Sequence, residues 1–127
     1  MSYPDDLLYS KEHEWARKLG DSVIQVGITT FAVEQLGDVT MVELPEVGAT
    51  VGAGDSFGEI ESTKSVSDLY APVAGTIVEV NADLVEAPER LNDDPYGEGW
   101  ICVIEPATPD AYRELLDADA YRALIQG

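Results

Sequence analysis

The sequence predicts a mainly β fold, a sandwich or barrel of short strands with short peripheral and C-terminal helices. Three observations carry that expectation. Between residues 23 and 80 the apolar runs are short, and the clearest of them alternates with a second face, the period of a half-buried strand. Turn residues, drawn from 11 glycines and 7 prolines, break those runs about every 8–12 residues, the spacing of sandwiches and barrels. A hydrophobic content of 45% over 127 residues supports a sizeable core and argues against a disordered chain.

The elements follow in order. Ile24, Val26 and Ile28 alternate with Val23, Gln25 and Gly27, which predicts a strand. Thr29 and Thr30 then offer a hydroxyl cap, Glu34 an acid within the next turn, and Gly37 a stop, so a short helix is expected over 31–36. Residues 39–44 return to strand and end at Pro45; Gly48, Gly52 and Gly54 mark turns. Two strands, 57–62 and 65–70, are separated only by Thr63 and Lys64, a hairpin spanning about 57–70. Its tip lacks Asn-Gly or Asp-Gly, so a primed turn is weakly signalled and another tight turn stays open.

Beyond Pro72 and Gly75 a strand is expected over 76–80. The polar, Pro-interrupted stretch 82–95 reads as a loop with one helical turn near Pro88 to Leu91, and 100–104 as the last strand. Thr108, Pro109 and Asp110 supply a hydroxyl cap, a proline at the first helical position and an acid in the first turn. Tyr112, Leu115 and Leu116 then share a face, and Asp117 caps a second helix carrying Tyr121, Leu124 and Ile125. Two C-terminal helices are therefore expected over about 109–125. No linker-like stretch divides the chain, so residues 1–127 are expected to form a single domain.

Charge excludes several functions. Seven Lys+Arg stand against 25 Asp+Glu, a net −18, which repels phosphate backbones and anionic lipid and sets aside nucleic-acid and membrane-surface binding. No apolar run approaches membrane-spanning length, and the first residues show neither a signal nor a transit pattern. The one cysteine, Cys102, sits in an apolar run and reads as a buried, inert thiol in a reducing compartment, with cytoplasm the default. The one histidine, His13, has no partners at metal-ligand spacing, so no metal site is expected. It reads as a surface or packing residue whose pKa Glu12 and Glu14 are expected to raise. Nucleotide-binding glycine motifs are absent.

One cation stands out. Beyond residue 20 the chain has only Lys64, Arg90, Arg113 and Arg122, and Lys64 is the only lysine after Lys18. It falls at the expected hairpin tip among Ser62, Thr63 and Ser65, with Glu59, Glu61 and Asp68 close in sequence. Neighbouring carboxylates favour its charged form, which argues against Schiff-base chemistry. Two readings stay open: a solvated turn lysine, or an attachment point for a tethered cofactor that can enter other active sites.

The segment from Glu61 to Gly75, with Lys64 in its Glu-Ser-Thr-Lys-Ser-Val-Ser-Asp run, resembles the lipoyl-lysine segment of the glycine cleavage system H proteins. Further blocks resemble that family in the same order. They are Tyr9-Ser10-Lys11-Glu12-His13-Glu14-Trp15, then Val26 to Thr29 with Glu34 to Asp38, then Val42 to Gly48, then Leu91 to Trp100. Residues 116–121 match the closing helix more weakly.

The resemblance implies a lipoyl-domain-like β sandwich, or barrel-sandwich hybrid, in a carrier with no turnover of its own and no catalytic residues. It implies lipoate joined by an amide to Lys64 by lipoylating enzymes. Glycine decarboxylase, using pyridoxal phosphate, would transfer an aminomethyl group from glycine to that arm. Aminomethyltransferase would pass the one-carbon unit to tetrahydrofolate, and dihydrolipoamide dehydrogenase would reoxidise the dithiol with flavin and NAD. By the same resemblance Glu14 and Asp68 match positions lining a cleft for the cationic adduct; the alternative is that both are ordinary surface acids. Phe31 and Gln35 fall where the family varies and receive no role.

Rival readings are weighed by residue. Biotin carriers flank their lysine with methionines, whereas Thr63 and Ser65 stand here. Lipoyl domains of 2-oxoacid dehydrogenases lack the Glu12-His13-Glu14-Trp15 block. An H-like protein that relays lipoate to other apoproteins is not distinguished by residues 61–68. An unmodified acidic interaction module is the third alternative. A transient shuttle has reason to be monomeric.

Overall fold

A computed structural model describes residues 3–20, 22–108 and 110–126. Nine strands build two antiparallel sheets. The larger contains β1 (Leu8–Tyr9), β2 (Glu14–Leu19), β3 (Val23–Ile28), β5 (Thr50–Val51), β8 (Gly75–Val80) and β9 (Cys102–Pro106), in the order β1-β2-β3-β9-β8-β5. The smaller contains β4 (Val39–Glu43), β6 (Ser56–Ser62) and β7 (Val66–Tyr70), in the order β4-β6-β7. With four short helices, α1 (Thr30–Leu36), α2 (Asp83–Glu86), α3 (Arg90–Asp93) and α4 (Ala118–Gln126), the architecture is mainly β, as expected.

Alternation fills the main core. Ile24, Val26 and Ile28 of β3, Val42 of β4, Ile60 of β6, Leu69 of β7 and Ile77 of β8 belong to one buried apolar cluster. Each such side chain contributes about 1.5–3 kcal/mol on burial. A second, aromatic cluster gathers Leu7, Tyr9, Trp15, Ala118 and Tyr121. Trp15 is fully buried, its Nε1 donates to the Pro95 carbonyl at 2.9 Å, and its ring covers Gly27 on the paired strand. A Cβ at position 27 would lie 2.6 Å from that ring, so glycine is required there.

Local signals set α1. Thr29 Oγ1 accepts from the Ala32 N–H at 3.3 Å as the N-cap, and Gly37 closes the helix at φ +79° with its N–H on the Val33 carbonyl. The chain leaves α1 at Gly37 and enters β4 at Val39, next to the β6–β7 hairpin.

Four expectations are corrected. The stretch 82–95 holds two helical turns, α2 and α3, each anchored by one fully buried leucine, Leu84 and Leu91. The last strand runs from Cys102 to Pro106, because the Trp100 N–H turns back to the Gly97 carbonyl at 3.1 Å. The first C-terminal helix is only a 3-10 turn at Ala111–Glu114. There Leu115 becomes extended, so that Leu116 can pair with Tyr9 through backbone bonds of 2.7 and 2.8 Å. Pro109 lies outside the described residues. Finally, β1, β2 and β5 arise where no strand was expected. Asp117 does cap α4, its Oδ1 accepting from the Ala120 N–H at 2.8 Å. Among the described residues no helix is long and apolar enough to cross a membrane.

Candidate functional site

The hairpin tip is built by one serine. Ser62 Oγ accepts from the N–H groups of Lys64 (3.2 Å) and Ser65 (3.1 Å) and donates to the Ser65 carbonyl (3.1 Å). The backbone closes with Ser62 N–H on the Ser65 carbonyl at 2.9 Å, leaving Thr63 and Lys64 as the two tip residues. Lys64 is exposed, and its stem lies over Gly37, where a glycine Cβ would come within 3.4 Å of its Cε. Arg90, Arg113 and Arg122 each pair with an acid, whereas among the described residues no carboxylate forms an ion pair with Lys64.

A groove of about 430 Å³ starts beside this tip. One wall is β7 with Ser65 before it; the second is α1, through Phe31, Ala32, Gln35 and Leu36; the third is the turn into β2, Glu12 to Glu14. Ile28 and Ile60 line it as well, continuous with the core. Ser65 follows Lys64 directly, and Leu36 precedes the Gly37 shelf, so the lysine stands at the groove's mouth. A smaller cavity of about 270 Å³ lies toward the other end of β2, lined by Lys18, Ile24, Glu105 and Tyr112, and contains none of these groups.

Glu14 and Asp68, far apart in sequence, both line the groove, but in different states. Glu14 is 2% exposed. Its Oε1 accepts from Ser10 Oγ at 2.5 Å, and its Oε2 faces the Tyr70 N–H at 3.4 Å. Burial dominates those two stabilising bonds and pushes its pKa up to about 8, with Glu12 adding to the rise. Glu14 is therefore a buried group whose acid form is favoured near neutral pH. Asp68 is exposed on the edge strand. It stands opposite Glu59, which stands opposite Glu43, so three like charges cross the small sheet in a row. Such a row costs stability.

His13 corrects an expectation. Its pKa is lowered, because burial outweighs the opposing pull of Glu12. The ring packs 4.7 Å from Phe31, and Nδ1 meets the Tyr121 hydroxyl at 2.8 Å. That hydroxyl also meets Thr29 Oγ1, itself already accepting from Ala32 N–H. Thr29, Tyr121 and His13 thus form one hydrogen-bonded chain that ties α1 and α4 to the turn before β2. His13 holds this place at φ +71°, which turns the chain sharply before β2. Cys102 is buried, and its thiol is pushed up to about 12, leaving it inert. Among the described residues no group of acids, histidines or cysteines could hold a metal ion.

Sequence reasoning missed Ser10, Phe31 and Gln35 as parts of this site, and placed Ser62 beside the lysine without its bonding role. Ser62 was the most accessible to inference, since a hydroxyl just before a two-residue tip is placed to bond the turn. Phe31 and Gln35 carried no such signal, because only the fold faces α1 toward β7.

Comparison with known proteins supplies the remaining evidence. The family model described as "Glycine cleavage H-protein" matches residues 7–127. The chain is 54% identical over 126 residues to the glycine cleavage system H protein of Anaeromyxobacter sp. (strain K), covering 99% of this chain and 98% of that one. It is 56% identical to that of Mycobacterium avium (strain 104), covering 96% of each chain. A crystal structure of a glycine cleavage system H protein from Mycobacterium marinum superposes with a TM-score of 0.89 at 47% identity, over 98% of this chain and 100% of that one. The order of the sequence blocks, the two-sheet fold and these matches agree: the chain belongs to the glycine cleavage H-protein family.

Proposed function

We propose that this chain, acting over residues 1–127 as one lipoyl-type domain, is the lipoyl-carrying shuttle of a glycine cleavage system, with lipoate in amide linkage to Lys64. The observation that carries this reading is the lysine itself. It is exposed, outside any ion pair among the described residues, fixed on a serine-locked tip, and placed at the mouth of a groove. The residues suit the group: small hydroxylated neighbours leave the amine open to an acylating enzyme, and acylation removes a charge that no partner needs. When bound, the lipoyl group supplies thiol–disulfide exchange and a sulfur attachment for the one-carbon amine.

The chain's own contribution is to shelter the cargo. The aminomethyl group taken from glycine is cationic, and in bulk water it tends to decompose. Apolar Ile28 and Ile60 line the groove beside Glu14, a buried acid. A cation held beside Glu14 would favour its carboxylate, which would release its proton to solvent and pair with the cation. Asp68 adds a fixed negative charge at the groove's open edge.

In this reading the cargo is received from glycine decarboxylase and delivered to aminomethyltransferase, and the reduced arm is reoxidised by dihydrolipoamide dehydrogenase. The chain performs no turnover of its own. It works in the cytoplasm as a monomer, meeting each enzyme through brief encounters guided by its charge. The test is reconstitution. Lipoylated protein, the three partner enzymes, glycine, tetrahydrofolate and NAD should give glycine-dependent NADH, and no NADH would overturn the assignment. Lys64→Arg should keep the fold and abolish carriage.

A further inference from the structure

The lysine tip is held from outside as well as by Ser62, and that outer grip traces back to the late loop. Thr63 donates its N–H to the Asp38 carbonyl at 3.0 Å. Asp38 sits between Gly37, the shelf beneath the Lys64 stem, and Val39, the first residue of β4. The Gly37 carbonyl and the Val39 N–H flank the Asp38 carbonyl, and β4 is an edge strand of the β4-β6-β7 sheet.

Asn92 of α3 occupies that edge. Its Nδ2 donates to the Gly37 carbonyl at 2.8 Å and its Oδ1 accepts from the Val39 N–H at 2.9 Å. One carboxamide thus replaces a neighbouring strand: it satisfies a donor and an acceptor at once and fixes its own orientation by doing so. The neighbouring Leu91 is fully buried, so the helix that presents Asn92 is anchored.

We propose that Asn92 is a positioning residue for Lys64, clamping the Gly37–Asp38–Val39 edge so that Asp38 grips the hairpin tip and Gly37 supports the lysine stem. The residue is more than 25 positions from the tip and touches neither Lys64 nor the groove. Its effect is on how often the tip stands in the geometry an acylating enzyme recognises. If an unclamped tip holds that geometry about a tenth of the time, apparent affinity for the acceptor falls roughly tenfold.

The inference rests on Lys64 as the acylated residue for its kinetic consequence, and on geometry alone for the clamp. Both are tested on full-length apoprotein. Asn92→Leu removes both bonds; Asn92→Asp removes the donor to Gly37 and sets a carboxylate oxygen against that carbonyl. Each variant is assayed as acceptor with a lipoate-attaching ligase, lipoate and ATP, and by hydrogen exchange at the Thr63 amide. The Gly48 amide, bonded to the Ile77 carbonyl at 2.7 Å in the other sheet, is the control.

The expected result is a KM for apoprotein raised about tenfold with kcat little changed, and Thr63 exchange accelerated by a similar factor while Gly48 keeps its protection. Unchanged KM and unchanged Thr63 exchange in both variants would overturn the proposal. So would equal loss of protection at Thr63 and Gly48, which would make Asn92 a general stabiliser. If wild-type protein accepts no lipoate at Lys64, the function proposed above fails, and the two exchange rates still decide whether the clamp exists.

Discussion

A buried acid that stays protonated at neutral pH must make the fold weaker as the solution becomes alkaline. Glu14 is raised from an ordinary 4.5 to about 8 by burial. In the unfolded chain it loses its proton near 4.5; in the folded chain it keeps it until about 8. Between those values the folded state binds more protons, so the stability this group contributes is complete below 4.5 and is lost as pH rises through 8. Each pH unit is worth about 1.4 kcal/mol, and the full interval of 3.5 units sets a ceiling of about 5 kcal/mol.

Glu14→Gln keeps the size and hydrogen-bonding oxygen but cannot ionise. Urea unfolding of both proteins at pH 5, 6, 7, 8 and 9 isolates the effect, since the other acids contribute to both curves. Any fixed cost of seating the amide displaces the difference curve vertically and leaves its slope intact. The variant should gain on wild type steadily from pH 5 to pH 8 and then level off. A flat difference over that range would mean that Glu14 ionises normally, and the account of the groove as holding a neutral acid would fall with it.

Three other outcomes follow from described contacts. Gly27→Ala would drive a methyl group into the Trp15 ring at 2.6 Å, and urea midpoints should show a loss of about 1–3 kcal/mol. Cys102, buried and pushed up to about 12, should resist iodoacetamide at pH 8 in native protein and react fully once unfolded; rapid native labelling would contradict its burial. Tyr121→Phe removes the hydroxyl shared by His13 and Thr29 and should cost about 1–3 kcal/mol. Because folding lowers the His13 pKa, the stability tied to its neutral ring is present above the unfolded value and lost on acidification. Because phenylalanine keeps the ring that buries His13, proton titration by NMR should find its pKa still below the ordinary value in the variant.

What the sequence made legible was local. The alternation of Ile24, Val26 and Ile28 needs only one buried face, and the α1 caps lie within a few residues of the turns they close. The two-residue tip around Lys64 was equally visible. β2 was missed for a physical reason: Glu14, Trp15 and Ala16 are all buried, so both faces are covered and no period of two survives. The sign for His13 failed similarly. Its chain neighbours are acids, but Tyr121, 108 positions away, belongs to the packing that desolvates the ring. Asn92 was visible as part of a family block and silent about its purpose, because its two partners are 53 and 55 residues away.

The backbone pairing of Tyr9 with Leu116 has a consequence for the order of assembly. Closing a loop of that length brings a large entropic cost before any contact rewards it. The sheet around β3, β8 and β9 can form earlier, but β1 gains its second partner only when Leu116 arrives. During synthesis, Tyr9 and Trp15 emerge more than 100 residues before Ala118 and Tyr121 of their cluster. The aromatic cluster therefore stays incomplete in the nascent chain until α4 has emerged, and closes late.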